Sequence, residues 1–220
     1  MFLSAPIPSL APELLLSLHG ATAMHDEHIA LDRVDLDLVA GRLTALVGPN
    51  GSGKSTLLGV LAGTHPLSHG TLNRRPGTSV AFVLQRSAVS AHLPLTVLDT
   101  VAMGRWRDRG SLGRLRRSDH EIIERSLCAL DLTPLASRSL HELSGGQRQR
   151  TLVAQGLAQQ ADLLLLDEPA AGVDASALVL IDRAIGAELA RGATVVQATH
   201  DPDAAARAST IITLADGRRL

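Results

Sequence analysis

Several kinds of residue are scarce in this chain of 220 residues. Its single cysteine, Cys128, excludes a disulfide framework and a cysteine-rich zinc fold. Tyrosine is absent, and of the 21 Lys and Arg residues only Lys54 is a lysine. A chain that uses arginine elsewhere could keep lysine where arginine cannot do the same work, or Lys54 could stand there by chance. The residues around Lys54 decide between these interpretations.

Long apolar runs and a strong excess of charge are also absent. A membrane-spanning helix needs about 20 apolar residues, and the run Leu163–Leu166 is far shorter. The net charge of −1 argues against non-specific nucleic-acid binding, and 45% hydrophobic residues exclude general disorder. The apolar start of the chain has no basic residue before Pro6 and Pro8, so it is a poor secretion signal. We expect a cytosolic protein that binds no nucleic acid.

The length is typical of one domain, or of one domain with an insert. Residues 1–12, rich in Pro, Ser and Ala, are expected to form a flexible tail before a folded domain at 13–220. Predicted strands alternate with predicted helices from about Leu14, which indicates an α/β fold with a mainly parallel sheet. Residues 87–150 have no evident strand and are predicted to form a helical insert.

A glycine-rich loop surrounds the lone lysine. It fits G-x-x-x-x-G-K-[ST] and lies between a predicted strand, Arg42–Val47, and a predicted helix, Ser55–Leu61. Its backbone N–H groups and the helix dipole favour anionic oxygens. The compact ammonium of Lys54 suits β- and γ-phosphates better than a guanidinium does, and Ser55 offers a hydroxyl to Mg²⁺. The predicted phosphate loop is Gly48, Pro49, Asn50, Gly51, Ser52, Gly53, Lys54, Ser55 and Thr56.

Two carboxylates follow the apolar run Leu163–Leu166. A buried parallel strand brings its last side chains to the carboxyl edge of the sheet, where ligands bind. Asp167 suits the coordination shell of Mg²⁺, directly or through water, and Glu168 suits a general base for an attacking water. Alone, the pair would more often be a solvated acidic turn. Together with the phosphate loop, it predicts hydrolysis of a nucleotide.

A third motif carries a resemblance to a known family. Ser144, Gly145, Gly146 and Gln147 precede a predicted helix, which Ser144 can cap while the glycines leave N–H groups open to an anion. Such a helix start is common by itself. In the order phosphate loop, LSGGQ, LLLLDEP, the chain resembles the ATP-binding subunit of ABC transporters over about Leu14–Leu220. The resemblance implies a P-loop NTPase core with a mainly parallel sheet, an antiparallel β subdomain and a helical insert.

The resemblance also implies roles for residues outside these motifs. Gln85 matches a glutamine that senses Mg²⁺ and the attacking water, and His200 matches a histidine that contacts the γ-phosphate. Asp174 matches a loop that crosses the dimer interface. His25 falls where the family stacks an aromatic ring on adenine, and imidazole can still stack there, less strongly. Without the family, His200 would be an ordinary strand-end histidine and Asp174 a helix cap, and Asp174 could do both.

The expected site therefore has four parts besides the adenine and phosphate contacts. The catalytic residues are Glu168, His200 and Gln85. The Mg²⁺ ligands are Ser55, Gln85 and Asp167. The signature residues Ser144, Gly145, Gly146 and Gln147 act on the other subunit's ATP, and Asp174 lies in the dimer-interface loop.

The resemblance implies partners as well as an activity. In this family the signature of one copy completes the site of the other, so a homodimer that traps two ATP molecules is expected. A separate permease and an extracytoplasmic substrate-binding protein would complete an importer at the cytoplasmic side of the plasma membrane. The chain looks most like the zinc and manganese uptake branch. The alternatives are an importer subunit for an iron chelate, siderophore or cobalamin, or a soluble ABC ATPase not coupled to transport.

Three features stay outside this function. The turn His25-Asp26-Glu27-His28 could bind a regulatory metal or could simply be solvated. The basic cluster 105–117 could contact anionic lipid headgroups, or it could be a solvated face balanced by Asp108 and Asp119. Cys128 falls in an apolar helix pattern, and we expect it to pack in the core.

Overall fold

Two β-sheets organise the residues that the computed structural model describes, which are 13–25, 27–84, 95–110 and 113–220. In chain order the strands are β1 (Leu14–His25), β2 (His28–Val39), β3 (Leu43–Val47), β4 (His69–Arg74), β5 (Val80–Val83), β6 (Leu163–Asp167), β7 (Thr194–Ala198), β8 (Thr210–Ala215) and β9 (Arg218–Arg219). The helices are α1 (Lys54–Ala62), α2 (Val97–Ala102), α3 (Trp106–Arg109), α4 (Arg117–Ala129), α5 (Gly145–Ala158), α6 (Ala175–Ala190) and α7 (Pro202–Ala206).

The larger sheet has the order β5-β6-β7-β3-β8-β9, and all its neighbouring strands are parallel except β8 and β9. Every residue of β6 and β7 is buried, which explains why their sequences are apolar runs without alternation. Leu46 of β3 and Asp167 of β6 both pair with Ala198 of β7. The ends of these three strands therefore meet at one edge of the sheet, and the expected α/β class is confirmed.

The smaller sheet is antiparallel, with the order β2-β1-β4. Val34, Leu36 and Leu38 of β2 are buried while Asp35 and Asp37 are exposed, as the alternation predicts. Their buried face packs with apolar residues of α1 in one cluster. The sequence did not indicate β4, because none of its six side chains is buried and no apolar alternation marks it. The antiparallel subdomain covers the helix that follows the phosphate loop.

Helices and short 3₁₀ turns fill the described part of the expected insert. The 3₁₀ turns are Met103–Arg105, Thr133–Leu135 and Leu140–Glu142. Within residues 95–110 and 113–150 the structure has no named strand, only an isolated bridge between Thr96 and Ser139. α5 continues past residue 150 into the core, where a Cβ on Gly156 would lie 2.4 Å from Cγ2 of Val83. The insert and the sheet thus share one long helix.

The basic cluster is a buried ion-pair network where it meets α4. Arg105 is 5% exposed, and it donates from Nε to Asp119 at 3.0 Å and from Nη1 to the carbonyl of Ala158 at 2.8 Å. Arg105 also bonds Asp108, and Arg109 donates to Asp119 at 2.7 Å. Asp108 and Asp119 balance the charge of Arg105, as the sequence predicted. Because Arg105 is buried, the predictions of a solvated face and of contact with lipid headgroups are both wrong for this residue. The network joins the start of α3 to α4 and to the end of α5.

Cys128 is exposed on α4, so the expectation that it packs in the core is wrong. Ile123 and Leu127 occupy the buried stripe of this helix. Because an α-helix advances 100° per residue, Cys128 lies beside that stripe and not within it.

Candidate nucleotide-binding site

The phosphate loop joins β3 to α1 in a backbone conformation that depends on glycine. Gly48 has φ 154°, and a Cβ there would lie 2.2 Å from the carbonyl oxygen of Leu214. Gly53 has φ 99°, and a Cβ there would lie 2.5 Å from the carbonyl oxygen of Ala30. A side chain at either position would force a neighbouring backbone to move. The glycines therefore let the loop pass between β8 and the start of β2.

Lys54 begins α1 and is only 6% exposed. Its Nζ donates to the carbonyl oxygens of Gly48 at 2.8 Å and Pro49 at 2.9 Å. Ser52 Oγ is buried in the same loop and has no hydrogen-bond partner among the described residues. A phosphate oxygen could replace either carbonyl as a partner of the Lys54 ammonium. The Ser52 hydroxyl could donate a hydrogen bond to the same phosphate.

A cavity of about 440 Å³ opens beside this loop. That volume is within the range of small-molecule sites. Beyond the loop residues Asn50, Gly51, Gly53, Lys54, Ser55 and Thr56, its walls are His25, His28, Ile29, Ala30 and Glu168. His25 ends β1 and pairs with His28 across the hairpin. Ile29, which sequence reasoning missed, is 60% exposed, and its apolar side chain offers a second surface for a planar base.

Asp167 is the last residue of β6 and is almost fully buried. Burial raises the pKa of its carboxyl, an effect that a hydrogen bond with Ser55 opposes. The charge of Glu168 also raises this pKa, whereas the charge of Lys54 lowers it. A buried carboxylate beside a hydroxyl is a set of oxygen ligands that suits Mg²⁺.

Glu168 lies where the loop cavity meets a second cavity of about 270 Å³. Its backbone is in the left-handed region, with φ 45°, and its N–H donates to the carbonyl oxygen of Ala198 at 3.1 Å. The second cavity is also lined by Asp174, Thr199 and His200. Nδ1 of His200, whose side chain is 72% exposed, lies 3.9 Å from Oε1 of Glu168. The end of β7 thus brings His200 beside the carboxylate.

Asp174 is the N-cap of α6. Its Oδ1 accepts hydrogen bonds from the backbone N–H of Ala177 at 2.8 Å and from the hydroxyl of Ser176 at 2.6 Å. The Ser176 hydroxyl, with the Ala177 N–H, lowers the pKa of Asp174. The structure thus has the cap that the sequence offered as one of the two interpretations of this residue.

The signature residues are brought together at the start of α5. Ser144 Oγ accepts from the N–H of Gln147 at 3.2 Å, and Gln147 Oε1 accepts from the N–H of Ser144 at 3.0 Å. This capping box fixes the helix start. Neither of the two cavities in the described part of the chain is lined by a signature residue, that is, by Ser144, Gly145, Gly146 or Gln147. Gln85 lies outside the described residues.

A phosphate loop between a parallel strand and a helix, with carboxylates at the end of the next strand but one in the same sheet, defines a P-loop nucleoside triphosphatase. Its family follows from the comparison with known sequences. The sequence pattern of the ABC transporter family matches residues 31–171, and the chain belongs to this family. It is an ABC ATPase, as the three motifs predict.

Two relatives show which transport systems contain similar subunits. The manganese transport system ATP-binding protein of Listeria innocua is 37% identical over 192 residues, which are 84% of this chain and 80% of the relative. The zinc import ATP-binding protein of Paramagnetospirillum magneticum is 39% identical over 188 residues, which are 85% of this chain and 68% of the relative. The similarity to metal-uptake subunits that the sequence suggests is confirmed.

Solved structures give the same architecture. A bacterial ABC transporter cassette solved as a dimer superposes with a TM-score of 0.82 at 26% identity, over 93% of this chain and 96% of the other. ABC cassettes dimerise and belong to transporter systems. In the part of the chain that the structure describes, no helix has the length and apolar character needed to cross a bilayer.

Proposed function

We propose that this chain is the ATP-hydrolysing subunit of an importer for a divalent metal ion, manganese or zinc. The observation that carries the choice of substrate is the similarity to manganese and zinc uptake subunits over more than four fifths of the chain. The cavities described above belong to the ATP site, and the cargo would contact other subunits. The choice of substrate rests on this relatedness, whereas the proposed ATP chemistry rests on residues of this chain.

In the proposed ATP complex, the phosphate oxygens take over the Lys54 ammonium from the carbonyls of Gly48 and Pro49. Support comes from the two hydrogen bonds that Nζ now makes within the loop and from the buried Ser52 hydroxyl of the same loop, which has no hydrogen-bond partner in the part of the chain that the structure describes. Adenine stacks on His25, which lines the same cavity as Lys54.

The oxygens of Ser55 and Asp167 would hold Mg²⁺, as their hydrogen bond and the burial of Asp167 suggest. The bound ion would neutralise charge on the phosphates. Gln85 remains a predicted further ligand. Burial raises the pKa of Asp167, and the charge of Lys54 opposes this shift.

Glu168 is the proposed general base for the attacking water. It lines both cavities, and its backbone hydrogen bond to Ala198 fixes it at the edge of the sheet. His200 is proposed to contact the γ-phosphate. Its ring already lies near the Glu168 carboxylate, at 3.9 Å. In this arrangement Glu168 and His200 both face the nucleotide, because they follow the neighbouring strands β6 and β7.

We further propose a homodimer in which the signature of one protomer closes the site of the other. The position of the signature outside the two cavities of its own chain supports this arrangement. Asp174 would cross the interface while it caps α6. A separate permease would couple the dimer to transport at the cytoplasmic face of the membrane, and an extracytoplasmic binding protein would supply the metal.

The dimer is tested with Glu168→Gln. This change removes the base but keeps the phosphate contacts, so we expect MgATP binding, hydrolysis lowered by about 10²-fold or more, and a stable dimer on gel filtration. Wild-type protein without nucleotide is the control, and it should elute as a monomer. A Glu168→Gln chain that stays monomeric in saturating MgATP would contradict the shared site.

The substrate is tested by uptake in cells of the source organism that lack this chain. Uptake of radiolabelled manganese or zinc should fall and should return with the wild-type chain but not with Glu168→Gln. Uptake of a ferric siderophore and of cobalamin is measured in the same cells. If either of those is lost while both metals enter normally, the proposed substrate is wrong.

A further inference from the structure

The proposed adenine platform, His25, is supported by a second histidine. His65 follows α1 and is half-buried. The ring centroids of His25 and His65 are 6.4 Å apart, and their planes differ by 25°. This spacing is within the range of stabilising aromatic pairs, about 4.5–7 Å. The ring that we propose to stack on adenine therefore already has a planar neighbour.

His65 also binds the backbone next to His25. Its Nε2 lies 2.8 Å from the carbonyl oxygen of Met24, the residue before His25. A carbonyl only accepts hydrogen bonds, so Nε2 carries the proton and donates. One imidazole thus contacts the His25 ring and fixes the strand end that bears it.

His65 is itself fixed to α1. The N–H groups of Thr64 and His65 donate to the carbonyl oxygen of Gly59 at 2.9 and 3.1 Å, and the Thr64 hydroxyl donates to it at 3.2 Å. A Cβ on Gly59 would lie 3.1 Å from Cβ of His65, so the glycine permits this close approach. The same helix begins at Lys54. α1 therefore connects the phosphate-binding lysine to the residue that contacts His25.

We propose that His65 is a positioning residue that orients the His25 ring for the nucleobase and ties it to α1. His25 is exposed at the end of β1 where the chain connects to β2, and its backbone pairs there with His28. The contacts of His65 restrain a ring that would otherwise choose among rotamers. Such restraint strengthens base binding, because less side-chain freedom is lost when the base arrives. The inference rests on the proposed role of His25.

The test is a double-mutant cycle of His25→Ala and His65→Ala, with dissociation constants measured by calorimetry. The two probes are MgATP and magnesium tripolyphosphate, which has the phosphates but no base. His65→Ala should weaken MgATP binding by about three- to tenfold, the scale of one aromatic pair. It should leave tripolyphosphate binding unchanged. In the His25→Ala background it should have no further effect, because there is no ring left to orient.

His69→Ala is the matched control, since it removes an exposed histidine from β4 on the same subdomain. It should bind both probes as wild type does. Melting temperatures check folding, and His65→Gln, which keeps a hydrogen-bond donor but no ring, replaces His65→Ala if that chain does not fold. His65→Gln should weaken MgATP binding less than His25→Ala does.

Two results would overturn the inference in distinguishable ways. If His25→Ala weakens MgATP binding and the His65 variants do not, His65 does not position the ring, and the role of His25 stands. If neither change affects MgATP binding, the proposed adenine platform is wrong, and the inference fails with it. Equal losses for MgATP and tripolyphosphate would place the effect of His65 on the phosphate loop, which also contradicts the inference.

Discussion

Chemical modification of the single lysine tests the phosphate site directly. Lys54 supplies the chain's one side-chain amine, so an amine-directed reagent has one side-chain target. Its Nζ is buried and bonded to Gly48 and Pro49. The reagent can reach Nζ only when these two hydrogen bonds open.

The two hydrogen bonds set the expected reaction rate. A hydrogen bond from a charged group contributes about 1.5–3 kcal/mol, so opening two costs about 3–6 kcal/mol. At about 1.36 kcal/mol per factor of ten, Lys54 should react about 10²- to 10⁴-fold more slowly than a free amine. MgATP should slow it further, because phosphate oxygens then hold the ammonium, whereas AMP lacks the β- and γ-phosphates and should protect poorly.

The assay uses a succinimidyl ester at mildly alkaline pH, with Nα-acetyllysine in the same tube as the rate reference. Mass-spectrometric peptide mapping measures labelling of Lys54, and ATPase activity is followed in parallel. Lys54→Arg is the control, because it leaves no side-chain amine and should itself lose most hydrolysis. Labelling at the reference rate would contradict the shielded geometry. Full labelling with activity intact would show that Lys54 is not the phosphate ligand.

Two further predictions concern α5 and α4. Ser144→Arg should abolish hydrolysis, because the substitution disrupts the ATP site of the partner protomer. The variant monomer should still bind MgATP in a calorimeter, and loss of this binding would contradict the prediction. Asp119→Ala should lower the free energy of unfolding by about 3–5 kcal/mol, because the buried guanidinium of Arg105 loses its buried carboxylate partner and keeps only the exposed Asp108, and denaturant melts measure this. Since Arg109 holds the pKa of Asp119 below its ordinary value of 3.8, the stabilisation is present above that pH and is lost as the pH falls below it. Asp119→Ala should therefore lose less stability than wild type on acidification, and equal losses would contradict the ion pair.

The parts of the fold and the site that could be predicted from the sequence are those marked by short local motifs. The phosphate loop and the carboxylates at the end of β6 are each recognised from adjacent residues, so their placement at one sheet edge needs only the parallel α/β pattern. β4 lacked a pattern because none of its side chains is buried. The burial of Arg105 depends on Asp119, a partner 14 residues away on another helix. The contact between His25 and His65 joins an end of β1 to the end of α1, which no local pattern indicates.

The exposed position of Cys128 gives the molecule a natural attachment point for a probe. It is the chain's one thiol, and it lies on α4, within the helical insert. A nitroxide attached there needs no removal of other cysteines and no new substitution. In a symmetric pair of chains, the two spin labels would report a single separation. Pulsed electron resonance could then follow how the inserts move through the nucleotide cycle, in the otherwise unaltered protein.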